Sequence, residues 1–152
     1  MQHYHSFLGI FEQFDITVQV SLNGAFYCAR QVIAGMRERG WGRIISLSSM
    51  AAEGNVGQAN YAAAKAGVIG LTRTLSDELV NKGITVNSIA PGLINTDIIK
   101  TIPETIMDKL IKNIPAGRIG QPKEVADLTA FLASDQAAYI SGQHIKISGG
   151  LR

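Results

Sequence analysis

The chain has 152 residues, 46% of them hydrophobic and 17% charged, which suits one soluble domain with a sizeable core. A net charge of +2 with scattered Lys and Arg singles out neither nucleic acid nor an anionic membrane, and no apolar run reaches the ~18–20 residues of a membrane span. Cys28 is the only cysteine, which excludes an internal disulfide and fits a reducing cytoplasm.

In chain order, Met1–Ile10 shows no clear period and no signal-peptide core. From about Glu12 the pattern turns helical, with Val18, Leu22, Phe26, Ala29, Ile33 and Met36 stepping by three or four. Arg39-Gly40 suits the end of that helix, and Gly40-Trp41-Gly42 the turn into a strand over Arg43–Ser48. That strand is a near-continuous apolar run of the kind buried in parallel sheets. Asn60 is the expected N-cap of an Ala-rich helix running to about Asn81, with Gly83 as its left-handed stop. Ile84–Ala90 reads as a second strand, closed by Pro91-Gly92. Weaker helical stretches follow around Asn95–Lys100 and Glu104–Asn113. Pro122–Ser134 is a clearer helix, with Val125, Leu128, Phe131 and Leu132 on one side, and Gln143–Ser148 is the last strand.

Alternation of helix and strand predicts right-handed βαβ units in a parallel sheet, whose ligands bind beyond the carboxyl ends of the strands. Ser48, Ser49, Pro91 and Gly92 all stand at carboxyl ends, so they should face one crevice. Tyr61 and Lys65 lie one helical turn apart and share a face. An ammonium beside a phenol favours the ionised form, so the pair can hold a proton donor and its tuner. With a serine hydroxyl from the strand end, these are the groups that interconvert a carbonyl and an alcohol. His3, His5 and His144 have no Cys or acidic neighbours at ligand spacing, so no metal site is expected.

The segments GRIISLSS, GQANYAAAKAGVIGLTRTL, GITVNSIAPGLINTD and SGQHIKISGG, in that order, resemble the short-chain dehydrogenase/reductase family. Within it, the β-ketoacyl (3-oxoacyl) carrier-protein reductases are most similar, over roughly Phe14 to Gly150. The resemblance implies a doubly wound, Rossmann-like parallel sheet, NAD or NADP as cofactor, and a small ketone or secondary alcohol as substrate. It makes Tyr61 the proton donor in reduction and the base in oxidation. It makes Lys65 the ribose ligand that also favours ionisation of Tyr61. Pro91, Gly92, Ile94 and Thr96 match the loop that meets the nicotinamide. For the carbonyl-binding serine, counting back thirteen residues from Tyr61 points to Ser48, whereas counting forward from Gly42 points to Ser49. Strand phase is the stiffer ruler, since a slip by one flips every side chain, so Ser49 is preferred over Ser48. The family's water-holding asparagine aligns with Ser21, and Asn23 sits two residues further on.

One element is missing. Neither G-x-x-x-G-x-G nor G-x-G-x-x-G occurs, and Gly35, Gly40 and Gly42 have the wrong spacing for a pyrophosphate-binding turn. Residues 1–152 are therefore expected to form one partial Rossmann-like domain with three strands. It would lack roughly the first 90 residues that the resemblance implies, including the switch point where adenine would lie. Two expectations follow: an NAD(P)-dependent oxidoreductase by ancestry, or a catalytically inactive remnant or interaction module unable to hold the dinucleotide alone. A homodimer or tetramer through the helices flanking Arg43–Ser48 is implied by the resemblance. So is a complementing N-terminal half, because Arg43–Ser48 should be a central strand whose neighbour is missing. Another chain's strand or the Met1–Ile10 segment are alternative covers for that edge.

Overall fold

The computed structural model describes residues 11–152; Met1–Ile10, with the edge-covering role considered for it and with His3 and His5, lies outside them. The first helical run comprises α1 (Phe11–Val18), a π-helical turn (Gln19–Asn23) and α2 (Gly24–Arg39). A π turn takes in one residue more than an α turn, which rotates the side chains after it by about 100°. The apolar stripe expected from the sequence loses one member within α2. Ala29, Ile33 and Met36 reach the core, whereas Phe26 turns outward and tilts against Tyr27, ring centroids 5.8 Å apart. Gly40 ends α2 in the left-handed conformation, as anticipated (φ 66°).

Strands β1 (Gly42–Leu47), β2 (Ile84–Pro91) and β3 (His144–Ile147) form one parallel sheet in the order β1-β2-β3. Ile44 pairs with Val86, and Ser88 with His144. Helix α3 (Ala59–Leu79) links β1 to β2, closing with a 3-10 turn at Val80–Lys82 and left-handed Gly83 (φ 75°). The segment from β2 to β3 carries a 3-10 turn (Asp97–Thr101) where a helix over Asn95–Lys100 was expected, then α4 (Glu104–Lys112) and α5 (Pro122–Ala133). Pro122 opens α5, and Gln121 and Glu124 cap it reciprocally.

Helices cover both faces of the sheet. On one face Ala29, Leu75, Leu79, Ile84 and Val86 form a buried cluster between α2, α3 and the strands. On the other, Ile89, Leu132 and Ala137 are buried with Val125, Leu128, Ile145 and Ile147 packed around them. Phe131, expected in that stripe, is 42% exposed, since it lies at the margin of the arc through Val125, Leu128 and Leu132. Asn87, fully buried on β2, is paired on both sides: it donates to the Ile140 carbonyl and accepts from the Gln143 amide.

The architecture is thus the α/β, three-stranded parallel sheet anticipated, with the edge of β1 left without a neighbouring strand among the described residues. Among the described residues β1 is an edge strand and β2 the central one; only β2 is buried along nearly its whole length. The amides of Gly42 and Ser48 donate to Gly83 and Ile89 on the β2 side. By the alternation of a parallel ladder, Arg43, Ile45 and Leu47 turn their backbone groups the other way, toward an open groove. That groove is walled by Val20, Cys28, Val32 and Met36 from the long helical run.

Candidate active site

Beyond the carboxyl end of β1 the chain turns sharply. Ser48 and Ser49 point to opposite sides, as successive residues of an extended chain do. The Ser48 side chain is buried, 4% exposed, and its Oγ donates to the Lys65 carbonyl at 2.9 Å. Ser49 caps the 3-10 turn Met50–Glu53, its Oγ accepting the Ala51 amide at 3.1 Å. Tyr61 sits in the first turn of α3. Its position is fixed by Asn60, which accepts the Tyr61 amide at 2.8 Å and donates to Thr17 Oγ1 at 3.0 Å, tying α3 to α1. Asn60 was expected as the N-cap; the helix begins two residues earlier than that implies, at Ala59, and Gln58 holds the cap position.

Ser49, Tyr61, Pro91 and Gly92 line one cleft. Its apolar walls are Leu93, Ile98, Leu110, Ile114 and Leu151, the second and third contributed by the loop and helix after β2. Both carboxyl ends expected to face a common crevice do so. Lys65 Nζ stands 5.5 Å from the centroid of the Tyr61 ring and donates to the Leu47 carbonyl at 2.8 Å. It therefore reaches the groove along β1, which Ser21 of the π turn also lines. Partial burial strips water from the Lys65 ammonium and lowers its pKa from the ordinary lysine value.

Two expected residues lie elsewhere. Ile94 bridges to Gly120 and lines a smaller pocket with Arg118 and Glu124, next to the cleft and sharing Leu93 with it. Thr96 is exposed at the start of the Asp97–Thr101 turn, where its side chain caps nothing. Asn23 is half-buried in the π turn. Not anticipated was the contribution of Asn113, Leu151 and Arg152 to the cleft. Only the doubled glycine Gly149-Gly150, which reverses the chain after β3, hints at this in the sequence. The cleft thus carries two hydroxyls, one of them on a phenol beside a cation, together with apolar walls.

A family model described as enoyl-(acyl carrier protein) reductase matches residues 10–152. An acetoacetyl-CoA reductase of Shinella zoogloeoides is 45% identical over 141 residues, which is 91% of this chain and 58% of that protein. A 3-oxoacyl-[acyl-carrier-protein] reductase FabG of Pseudomonas aeruginosa is 46% identical over 92% of this chain and 57% of its own length. Nodulation protein G of Azospirillum brasilense is 46% identical over 91% and 57%. The chain thus spans less than three fifths of the length of these curated relatives. On fold, motif order and similarity along nearly all its residues, it belongs to the short-chain dehydrogenase/reductase family.

Proposed function

We propose that this chain carries the substrate-side half of an NAD(P)-dependent reductase that interconverts a 3-oxoacyl compound and its 3-hydroxy alcohol. The observation that carries this reading is the convergence of Ser49 and Tyr61 on one cleft, with the Lys65 ammonium beside the phenol. The names of the relatives supply the 3-oxoacyl class. A nicotinamide dinucleotide, when bound, supplies the hydride. The residues present fit only one end of it. Pro91-Gly92 and the Lys65 ammonium suit the nicotinamide and its ribose, with Thr96 and Ile94 further along the same loop. Among the described residues no glycine-rich turn opens a helix to receive the pyrophosphate.

The residues of this chain then divide the work as follows. Ser49 Oγ donates a hydrogen bond to the substrate carbonyl and holds it at the cleft floor. Tyr61 Oη hydrogen-bonds to the same oxygen and delivers the proton that turns it into a hydroxyl; in oxidation it takes that proton back. The Lys65 ammonium stabilises the negative charge left on the phenolate oxygen. The apolar walls exclude water around the reacting carbon.

Positioning of hydride donor and carbonyl contributes several kcal/mol to such a reaction, and each ~1.4 kcal/mol lost is about tenfold in rate. The chain alone is therefore expected to show no saturable NADH or NADPH binding at sub-millimolar concentration and no reduction of acetoacetyl-CoA. Mixing it with a polypeptide covering the first two fifths of a relative should restore both, and Tyr61→Phe should abolish the restored turnover. Turnover by the isolated chain would refute the half-site, and turnover indifferent to Tyr61→Phe would refute the assignment of the proton donor. A second reading, an association module without chemistry, is favoured by the open edge of β1. It predicts that the complementing half binds without any gain of turnover.

A further inference from the structure

After β3 the chain reverses over the turn that follows α4. Gly149 and Gly150 both adopt left-handed backbone (φ 63° and 88°), and the Gly149 carbonyl accepts the Ala116 amide at 2.9 Å. A Cβ on Gly149 would lie 3.0 Å from both Ile114 and Ala116, and one on Gly150 would lie 3.1 Å from Pro115. The reversal is therefore pressed against the turn after α4, and Ser148 Oγ latches it by donating to the Leu151 carbonyl at 3.0 Å. Its effect is to return Leu151 and Arg152 to the cleft that holds Ser49 and Tyr61.

The charges around that cleft are unequal in their commitments. Glu53 pairs with Lys146 at 2.5 Å, and the Lys65 ammonium is taken by the Leu47 carbonyl. Arg118, in the neighbouring pocket, is held by Glu124 at 2.6 Å. Arg152 is the one cation lining the cleft, and among the described residues it forms neither ion pair nor side-chain hydrogen bond. The cleft thus presents hydroxyls for a carbonyl, apolar walls, and one guanidinium with its donors unspent. Guanidinium donors suit a bidentate oxyanion.

We infer that Arg152 is a specificity-determining residue that binds an oxyanion on the substrate while Ser49 and Tyr61 hold its carbonyl. This rests on the proposed reductase reading and narrows its substrates to 3-oxo compounds carrying an anionic group. The oxyanion could be the carboxylate of a free 3-oxo acid or the phosphate of a carrier arm; the chemistry toward Arg152 is shared.

The test is a titration of the isotope-labelled chain, followed through its amide resonances, and requires no turnover. Three probes separate the sources: acetoacetate, S-acetoacetyl phosphopantetheine, and the uncharged S-acetoacetyl-N-acetylcysteamine. Acetoacetate, phosphopantetheine thioester or both should shift amides around Ser49, Tyr61 and Asn113. Arg152→Gln should weaken that binding at least about fivefold, Arg152→Lys should retain part of it, and the uncharged thioester should be unaffected by either. Whichever anionic probe is lost in Arg152→Gln identifies the source. Anion binding that survives Arg152→Gln unchanged, or an uncharged probe that binds as tightly as both anions, overturns the inference. Full anion binding combined with no turnover in the complemented protein would instead count against the reductase reading alone.

Discussion

Ser48 sends its hydroxyl inward to a helix carbonyl while Ser49, one residue on, faces the cleft, so the two should respond differently to removal. Ser48→Ala should cost about 1 kcal/mol of folding stability, the worth of a hydrogen bond lost in the interior. Ser49→Ala should cost a similar ~1 kcal/mol through its lost cap, and in the complemented protein lower kcat about 10²–10³-fold. Urea unfolding and steady-state kinetics of both variants check this; equal losses of kcat would contradict the assignment. His144 gives a second residue-scale prediction. Its Nδ1 meets Ser88 Oγ at 3.0 Å, and its Nε2 is buried with no partner among the described residues. Burial lowers its pKa, outweighing nearby Glu53, while Lys146 and Arg73 push the same way as burial. The folded state thus binds this proton less readily than the unfolded chain. Its contribution is complete above about pH 6.5 and declines as the pH falls below that value. Urea midpoints between pH 7.5 and 5 should drop, and drop less steeply in His144→Gln.

At the scale of elements, the Gly40–Gly83 contact shows how tightly the turns before β1 and β2 are joined. A Cβ on Gly83 would fall 2.1 Å from the Gly40 carbonyl oxygen, and φ there is 75°. Gly83→Ala combines left-handed strain with a backbone clash, and a loss on the order of 3 kcal/mol is expected from thermal or denaturant unfolding. That turn was legible in the sequence, since a glycine after an Ala-rich helix has few other reasons to be there. The strands were legible for the same kind of reason, as short apolar runs closed by Gly or Pro. Local signals were weaker guides where a tertiary contact decides. Asn60 reads as a cap, yet its amide is claimed by Thr17, more than forty residues away. Phe26 fits the stripe by spacing yet lies exposed at the start of α2, and no residue in Gln19–Asn23 announces the π turn before it. Of the candidate site, Pro91 and Gly92 stand at a strand end and Tyr61 at helical spacing from Lys65, whereas Ser49 is singled out from Ser48 only through the family resemblance. Arg152 could not be found in any of these ways, because only the packing of Gly149-Gly150 against the turn after α4 brings it back.

At the scale of the molecule, two surfaces await cover. Outside the helices, Phe26 and Tyr27 of α2 stand exposed, as do Ala63, Ala66 and Gly70 along α3. Small residues allow close approach and the aromatic pair supplies area, so a two-fold dimer through α2 and α3 is the expected assembly. Sedimentation at tens of micromolar should show it, and Ala66→Arg should return the chain to a monomer with unchanged circular dichroism. Along β1, the outward backbone groups of Arg43, Ile45 and Leu47 offer an extended polypeptide a ladder to join. The second surface bears on the first half of the site, because Lys65 is bonded to it.

That bond makes Lys65 a chemical reporter of whether the edge is occupied. Its ammonium is tied to the Leu47 carbonyl beside an open groove, and its lowered pKa leaves more of the free amine than an ordinary lysine has. A mild acylating reagent should therefore mark Lys65 readily in the isolated chain, and slowly once a strand lies along β1 and closes the groove over it. Peptide mapping by mass spectrometry would follow the label residue by residue. Assembly could then be read from one amine, before any turnover is sought.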